Sequence, residues 1–168
     1  DLTKTGDAVS KIGDAVTYTI TLFNNSSADT PDLSCTITDD ATDFSKNVTL
    51  VAGASDVSTV PWTIPTGATD PYTNTASVTC SPTGFTNTLT DEATWQTNLF
   101  QAAIDLTKTG DAVSKIGDAV TYAITLFNNS SADTPALVCT ISDPALAFSQ
   151  EVTLASGANA PYTVPFTI

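Results

Sequence analysis

The chain has 168 residues, of which 18 are Asp or Glu and 5 are Lys, with no arginine, no histidine and a formal net charge of −13. Such a surface has nothing with which to neutralise a row of phosphates or to grip a base edge, which excludes nucleic acid as a partner. The usual general base and imidazole metal ligand are missing too, and no apolar run is long enough to span a bilayer, so neither an enzyme nor a membrane segment is expected.

Threonine makes up roughly one residue in five and falls at alternate positions within apolar runs, the period-2 pattern of half-buried strands. In chain order the expected strands are Leu2 to Thr5, Ala15 to Phe23, a run through Leu33, Cys35 and Ile37, Asn47 to Val51, Val57 to Ile64, Tyr72 to Cys80, Phe85 to Thr90 and Ala93 to Leu99. Within Ala15 to Phe23, Val16, Tyr18, Ile20 and Leu22 share one face and Thr17, Thr19 and Thr21 the other. Turn-rich stretches such as NNSSADTP, VAGASD and PTGATDP separate the strands. The fold class is therefore all-β, with an immunoglobulin-like β-sandwich expected and a closed barrel as the alternative.

The segment Asp1 to Asp40 returns almost unchanged at Asp105 to Pro144, a period of 104 residues. A period this long makes each repeat a folding unit with its own core rather than one turn of a solenoid. Residues 1–104 form a complete repeat and residues 105–168 the first part of a second, near-identical one, matching Asp1 to Ile64. The second repeat is thus expected to be incomplete, in tandem with the first. Its junction, Thr94 to Thr107, has neither Gly nor Pro, which predicts a stiff joint around Phe100 to Ile104.

The strings Leu2-Thr3-Lys4-Thr5, Gly13-Asp14-Ala15-Val16-Thr17-Tyr18-Thr19-Ile20, Asn24-Asn25, Asp39 and Thr73-Asn74-Thr75-Ala76-Ser77-Val78-Thr79 resemble the tandem repeat of bacterial and archaeal surface proteins known as domain of unknown function eleven. The resemblance covers both repeats. It implies immunoglobulin-like sandwiches used in series on cell surfaces, and carries no activity or site residues with it.

Several residue groups are candidate sites. Cys35 and Cys80 sit on the inward parity of different strands and are expected to form a disulfide, which points to an extracellular or cell-surface location; Cys139 copies Cys35. Lys4 and Lys108 lie in the first strand of each repeat, where some surface sandwiches form a lysine–asparagine isopeptide bond helped by a buried acid. Asn74, Asn87 and Asn98 are the candidate acceptors, but a solvent-facing lysine that discourages edge pairing is the preferred reading.

Asn24, Asn25, Asn47, Asn128 and Asn129 satisfy the N-glycosylation pattern, though ordinary turns account for them as well. Asp39, Asp40 and Asp43, with Asp29 and Asp32 nearby, suggest a calcium site, but Ala136, Pro144 and Ala147 replace Asp32, Asp40 and Asp43 in the second repeat, so a solvated acidic loop is preferred and no cofactor is expected. Asp7 and Asp14 fit turn chemistry, with a calcium clamp as the less favoured reading. Trp62, Trp95, Tyr72 and Phe85 suggest an aromatic platform for carbohydrate, but Trp62 alternates with Val60 and Ile64 and Trp95 with Ala93, so both are read as core or joint residues.

These readings lead to a non-catalytic structural module of an extracellular surface protein, a rigid stalk, filament or sheath building block. Its expected partners are other copies of itself, with strand donation as one route of assembly. The alternative is an adhesive module that binds glycan or protein through its loops.

Overall fold

The computed structural model describes residues 1–168 as thirteen β-strands and two short 3₁₀ turns, with no α-helix. Two compact units divide the chain, Asp1–Leu99 and Phe100–Ile168. The division falls a few residues before the expected start at Asp105, because the carbonyls of Gln101 and Ala103 accept hydrogen bonds from Ser131 and Asn129, both at 2.9 Å.

The first unit holds β1 (Leu2–Thr5), β2 (Val9–Ser10), β3 (Ala15–Phe23), β4 (Leu33–Asp39), β5 (Phe44–Leu50), β6 (Ser55–Thr63), β7 (Tyr72–Pro82) and β8 (Leu89–Leu99). A three-stranded sheet runs β1-β3-β6 and a five-stranded sheet β2-β8-β7-β4-β5. Seven of these strands follow the alternation of the sequence. β2, only two residues long, was not expected; it pairs in parallel with the end of β8.

The two strands expected over Phe85 to Leu99 are one, and Phe85 lies outside it. Gly84 adopts φ 86°, a left-handed conformation that favours glycine, and Phe85 N–H closes the turn onto Pro82 O at 2.9 Å.

Alternation builds the core. Val16, Tyr18, Ile20 and Leu22 from one sheet meet Leu33, Cys35, Ile37, Ala76, Val78 and Cys80 from the other in a single buried cluster. Two sheets sharing their inward faces in this way are consistent with a β-sandwich. On the outer face of β3, Thr17 is exposed, and Thr19 and Thr21 are half-buried.

Gly6 leaves room for the central ring of that core. A Cβ there would stand 2.7 Å from Tyr18 Cδ1 and 3.1 Å from Trp95 Cδ1, and Tyr18 is fully buried. Gly6→Ala is expected to lower the unfolding free energy by roughly 1–3 kcal/mol, the usual cost of overpacking, as read from denaturant titration. Gly110 faces Tyr122 in the same way at 2.6 Å, but Tyr122 is only half-buried and its ring can yield, so Gly110→Ala should cost less.

The second unit holds β9 (Ile104–Thr109), β10 (Ala119–Asn128), β11 (Leu137–Asp143), β12 (Phe148–Leu154) and β13 (Asn159–Thr167). β9-β10-β13 reproduces the β1-β3-β6 sheet in register: Ala119 opposes Thr167 as Ala15 opposes Thr63. β11 pairs only with β12, whereas β4 lies between β5 and β7. Ile124, Leu126, Ile141, Leu154, Ala160 and Val164 form its core.

Candidate functional site

Lys4 occupies the second inward position of β1. The expectation of a solvent-facing edge lysine is overturned: β1 is an edge strand, but its period-2 burial turns Leu2 and Lys4 inward together, and the Lys4 side chain has no exposed surface. The facing sheet supplies its partner. Asp39 continues the inward parity of Leu33, Cys35 and Ile37 on β4, is equally buried, and accepts a hydrogen bond from Lys4 Nζ through Oδ2. The Lys4 nitrogen also lies 4.5 Å from the centre of the Tyr18 ring.

Asn74 completes the group. It begins the inward series Asn74, Ala76, Val78 and Cys80 of β7, the neighbour of β4, and is 1% exposed. The β4–β7 register pairs Thr38 with Ser77, which places Asp39 opposite Ala76 and Asn74 diagonally from it on the same inward face. Asn74 and Thr97 flank the Tyr18 hydroxyl, and Asp39 is among its charged neighbours.

Buried polar atoms almost always find hydrogen-bond partners, because leaving one unpaired costs roughly 1–3 kcal/mol. Here four do not: Asp39 Oδ1, both side-chain amide atoms of Asn74, and the Tyr18 hydroxyl oxygen. No other buried side-chain nitrogen or oxygen in the chain lacks a partner. Burial pushes the Lys4 ammonium below the usual lysine range, against the opposing pull of Asp39. Burial likewise pushes the Tyr18 hydroxyl up.

The second unit repeats part of this arrangement. Lys108 Nζ bonds Asp143 Oδ2 at 2.5 Å and stands 4.4 Å from the Tyr122 ring centre. Residues 105–168 include no counterpart of Asn74, and the Lys108 side chain is 42% exposed. Of the other candidate acceptors, Asn87 is exposed in the loop before β8, and Asn98 is half-buried near the far end of β8, opposite Val9.

The expected disulfide is present. Cys35 and Cys80 are directly opposed in the β4–β7 register and bonded at 2.03 Å, so the bridge joins neighbouring strands of one sheet. Cys139 is free and half-buried.

The glycosylation pattern divides in two. Asn24 and Asn128 are buried, donate from Nδ2 to the carbonyls of Leu50 and Leu154 at 2.9 Å, and accept from Ser26 and Ser130 N–H at 3.1 Å. A sugar on either amide is incompatible with the folded unit, which corrects that expectation. Asn25, Asn47 and Asn129 are exposed. If the host attaches N-glycans, peptide mapping is expected to find them on these three alone. Asn24→Ala strands Leu50 O and should destabilise the first unit by about 1–3 kcal/mol in thermal or denaturant unfolding.

No group of three or more acidic, Cys or His side chains is placed to hold a metal ion. Asp39, the first of the proposed calcium ligands, is the one that turns inward to Lys4; Asp40, Asp43, Asp29 and Asp32 stay on the exposed loops. Asp7 accepts from Thr17 N–H at 2.9 Å, and Asp14 pairs with Lys11.

Trp62, Trp95 and Tyr72 pack against the core, with the indole N–H groups donating to Tyr72 Oη and Asp7 O, while Phe85 is exposed. No helix is long and apolar enough to cross a membrane.

No protein-family model, no curated protein and no solved structure matches the chain. The functional reading rests on its own residues.

Sequence reasoning named Lys4 and Asn74 but assigned Asp39 to an acidic loop. The missed signal was parity: Asp39 and Asn74 both continue inward alternating series, Leu33-Cys35-Ile37 and Ala76-Val78-Cys80.

Proposed function

We propose that the chain is a structural repeat module of an extracellular surface protein, built from tandem immunoglobulin-like sandwiches. It serves as a building block of a stalk, filament or sheath and turns over no substrate. The observation that carries this reading is the duplication itself: the first 64 residues of the β unit return with the same strand register and the same inward parity, while no catalytic constellation returns with them. The disulfide suits an oxidising exterior. The strong negative charge keeps neighbouring surfaces soluble.

Other copies of the chain are the proposed partners. Strand addition between copies is one proposed route of assembly. The adhesive alternative has less support, since its aromatic residues other than Phe85 are engaged with the core.

Antibody raised against residues 1–99 is expected to label the outside of intact cells that make the protein and to mark repeating structures there. Label confined to the cell interior overturns the reading. Strong, specific binding in a glycan screen favours the adhesive alternative.

A further inference from the structure

We propose that the Lys4 and Asn74 side chains join in an intramolecular isopeptide bond, formed once within the folded first unit, with Asp39 carrying the proton. The inference stands on the buried site and is independent of the surface role.

Three properties of the site converge. A primary amine, a carboxylate and a carboxamide are enclosed together between facing sheets, among residues that exclude water. The amine is desolvated, which favours its neutral, nucleophilic form. The orphaned atoms are those the reaction would use: the Asn74 oxygen has no donor, the Asn74 nitrogen has no acceptor, and one Asp39 oxygen is idle. An asparagine with both amide atoms buried and unpaired is costly as a permanent arrangement, and the cost disappears if that amide is a reactant.

The chemistry balances without a co-reactant. The Lys4 ammonium gives a proton to Asp39, leaving a neutral amine and a carboxylic acid. The Nζ lone pair attacks Cγ of Asn74 while the acid donates a hydrogen bond to Oδ1, stabilising the developing negative charge. A proton then passes from Nζ through Asp39 to Nδ2, the Cγ–Nδ2 bond breaks, and ammonia leaves. One amide bond replaces another, Asp39 ends protonated, and its acid O–H can donate a hydrogen bond to the new carbonyl oxygen.

The Asn74 nitrogen, which makes no hydrogen bond, is the atom expelled. Tyr18 walls the site, its ring held against the Lys4 nitrogen.

The second unit is an internal control. Lys108 has the acid and the aromatic wall but, within this chain, no buried amide beside it. One bond is therefore expected in residues 1–168.

The intact mass of the purified 168-residue chain is the test. The expected value is the sequence mass less one ammonia, with the change persisting after reduction of the disulfide, and fragmentation is expected to place it on linked peptides containing Lys4 and Asn74. Asn74→Ala, Lys4→Arg and Asp39→Ala each should restore the full sequence mass. A wild-type mass without the loss overturns the proposal, as does a loss traced to Lys108 or one that persists in Asn74→Ala. The wild-type measurement requires no variant to fold.

Discussion

Replacing Cys35 and Cys80 together with alanine is expected to lower the unfolding free energy of the first unit by about 4 kcal/mol. The bridge closes a sequence separation of 45, and the chain-entropy relation for a loop of that size gives this magnitude. Both cysteines lie in the buried cluster, so the small volume left by two sulfur atoms adds a packing loss of the same sign. Reducing the wild-type protein should reproduce most of the effect without any change of sequence. Cys139→Ala removes a half-buried thiol that bonds to nothing and should shift the transition little. Denaturant unfolding of the oxidised, reduced and double-alanine forms checks the expectation; equal midpoints for the first two would mean that the bridge constrains nothing the sheet does not already hold.

Asp39→Ala is expected to be as costly, about 3–5 kcal/mol, for a different reason. It leaves the Lys4 ammonium enclosed with no counter-charge, and breaking a buried pair is penalised far more than replacing it whole. Lys4→Met combined with Asp39→Leu removes both charges and should recover the share of the loss that comes from the unpaired ammonium, because apolar side chains of similar length fill the same space, while the share that comes from the missing Lys4–Asn74 link stays lost. The equivalent change in the second unit is predicted to be mild: Lys108 is partly exposed and water can solvate it when Asp143 is removed. Chemical unfolding of Asp39→Ala, the double variant and Asp143→Ala separates these cases. A double variant as unstable as Asp39→Ala would show that the cost comes from packing or from the lost link and not from an unpaired charge.

The alternation of Val16, Tyr18, Ile20 and Leu22 with threonine is written in the residues, and β3 follows it residue for residue because a strand has no other way to bury one face. The same parity made Cys35 and Cys80 legible as a pair. It did not reveal that they are cross-strand neighbours within a sheet, since the order of strands comes from which edges meet. β2 escaped notice because two residues carry no period; it exists only where Val9 and Ser10 find the end of β8. Asn24 read as a surface motif because its tripeptide says nothing of depth, and its amide is buried by the Leu50 carbonyl it must satisfy.

By itself the sequence determined the all-β class, the 104-residue period, the acidic surface and the inward set of each strand, because these depend on composition and on a two-residue periodicity along the chain. Only the tertiary structure decided that Lys4 meets Asp39 and that Asn74 lies on the same inward face of the neighbouring strand. They are far apart in sequence and lie on two sheets, and what brings them together is the packing of those sheets face to face, which no local pattern encodes.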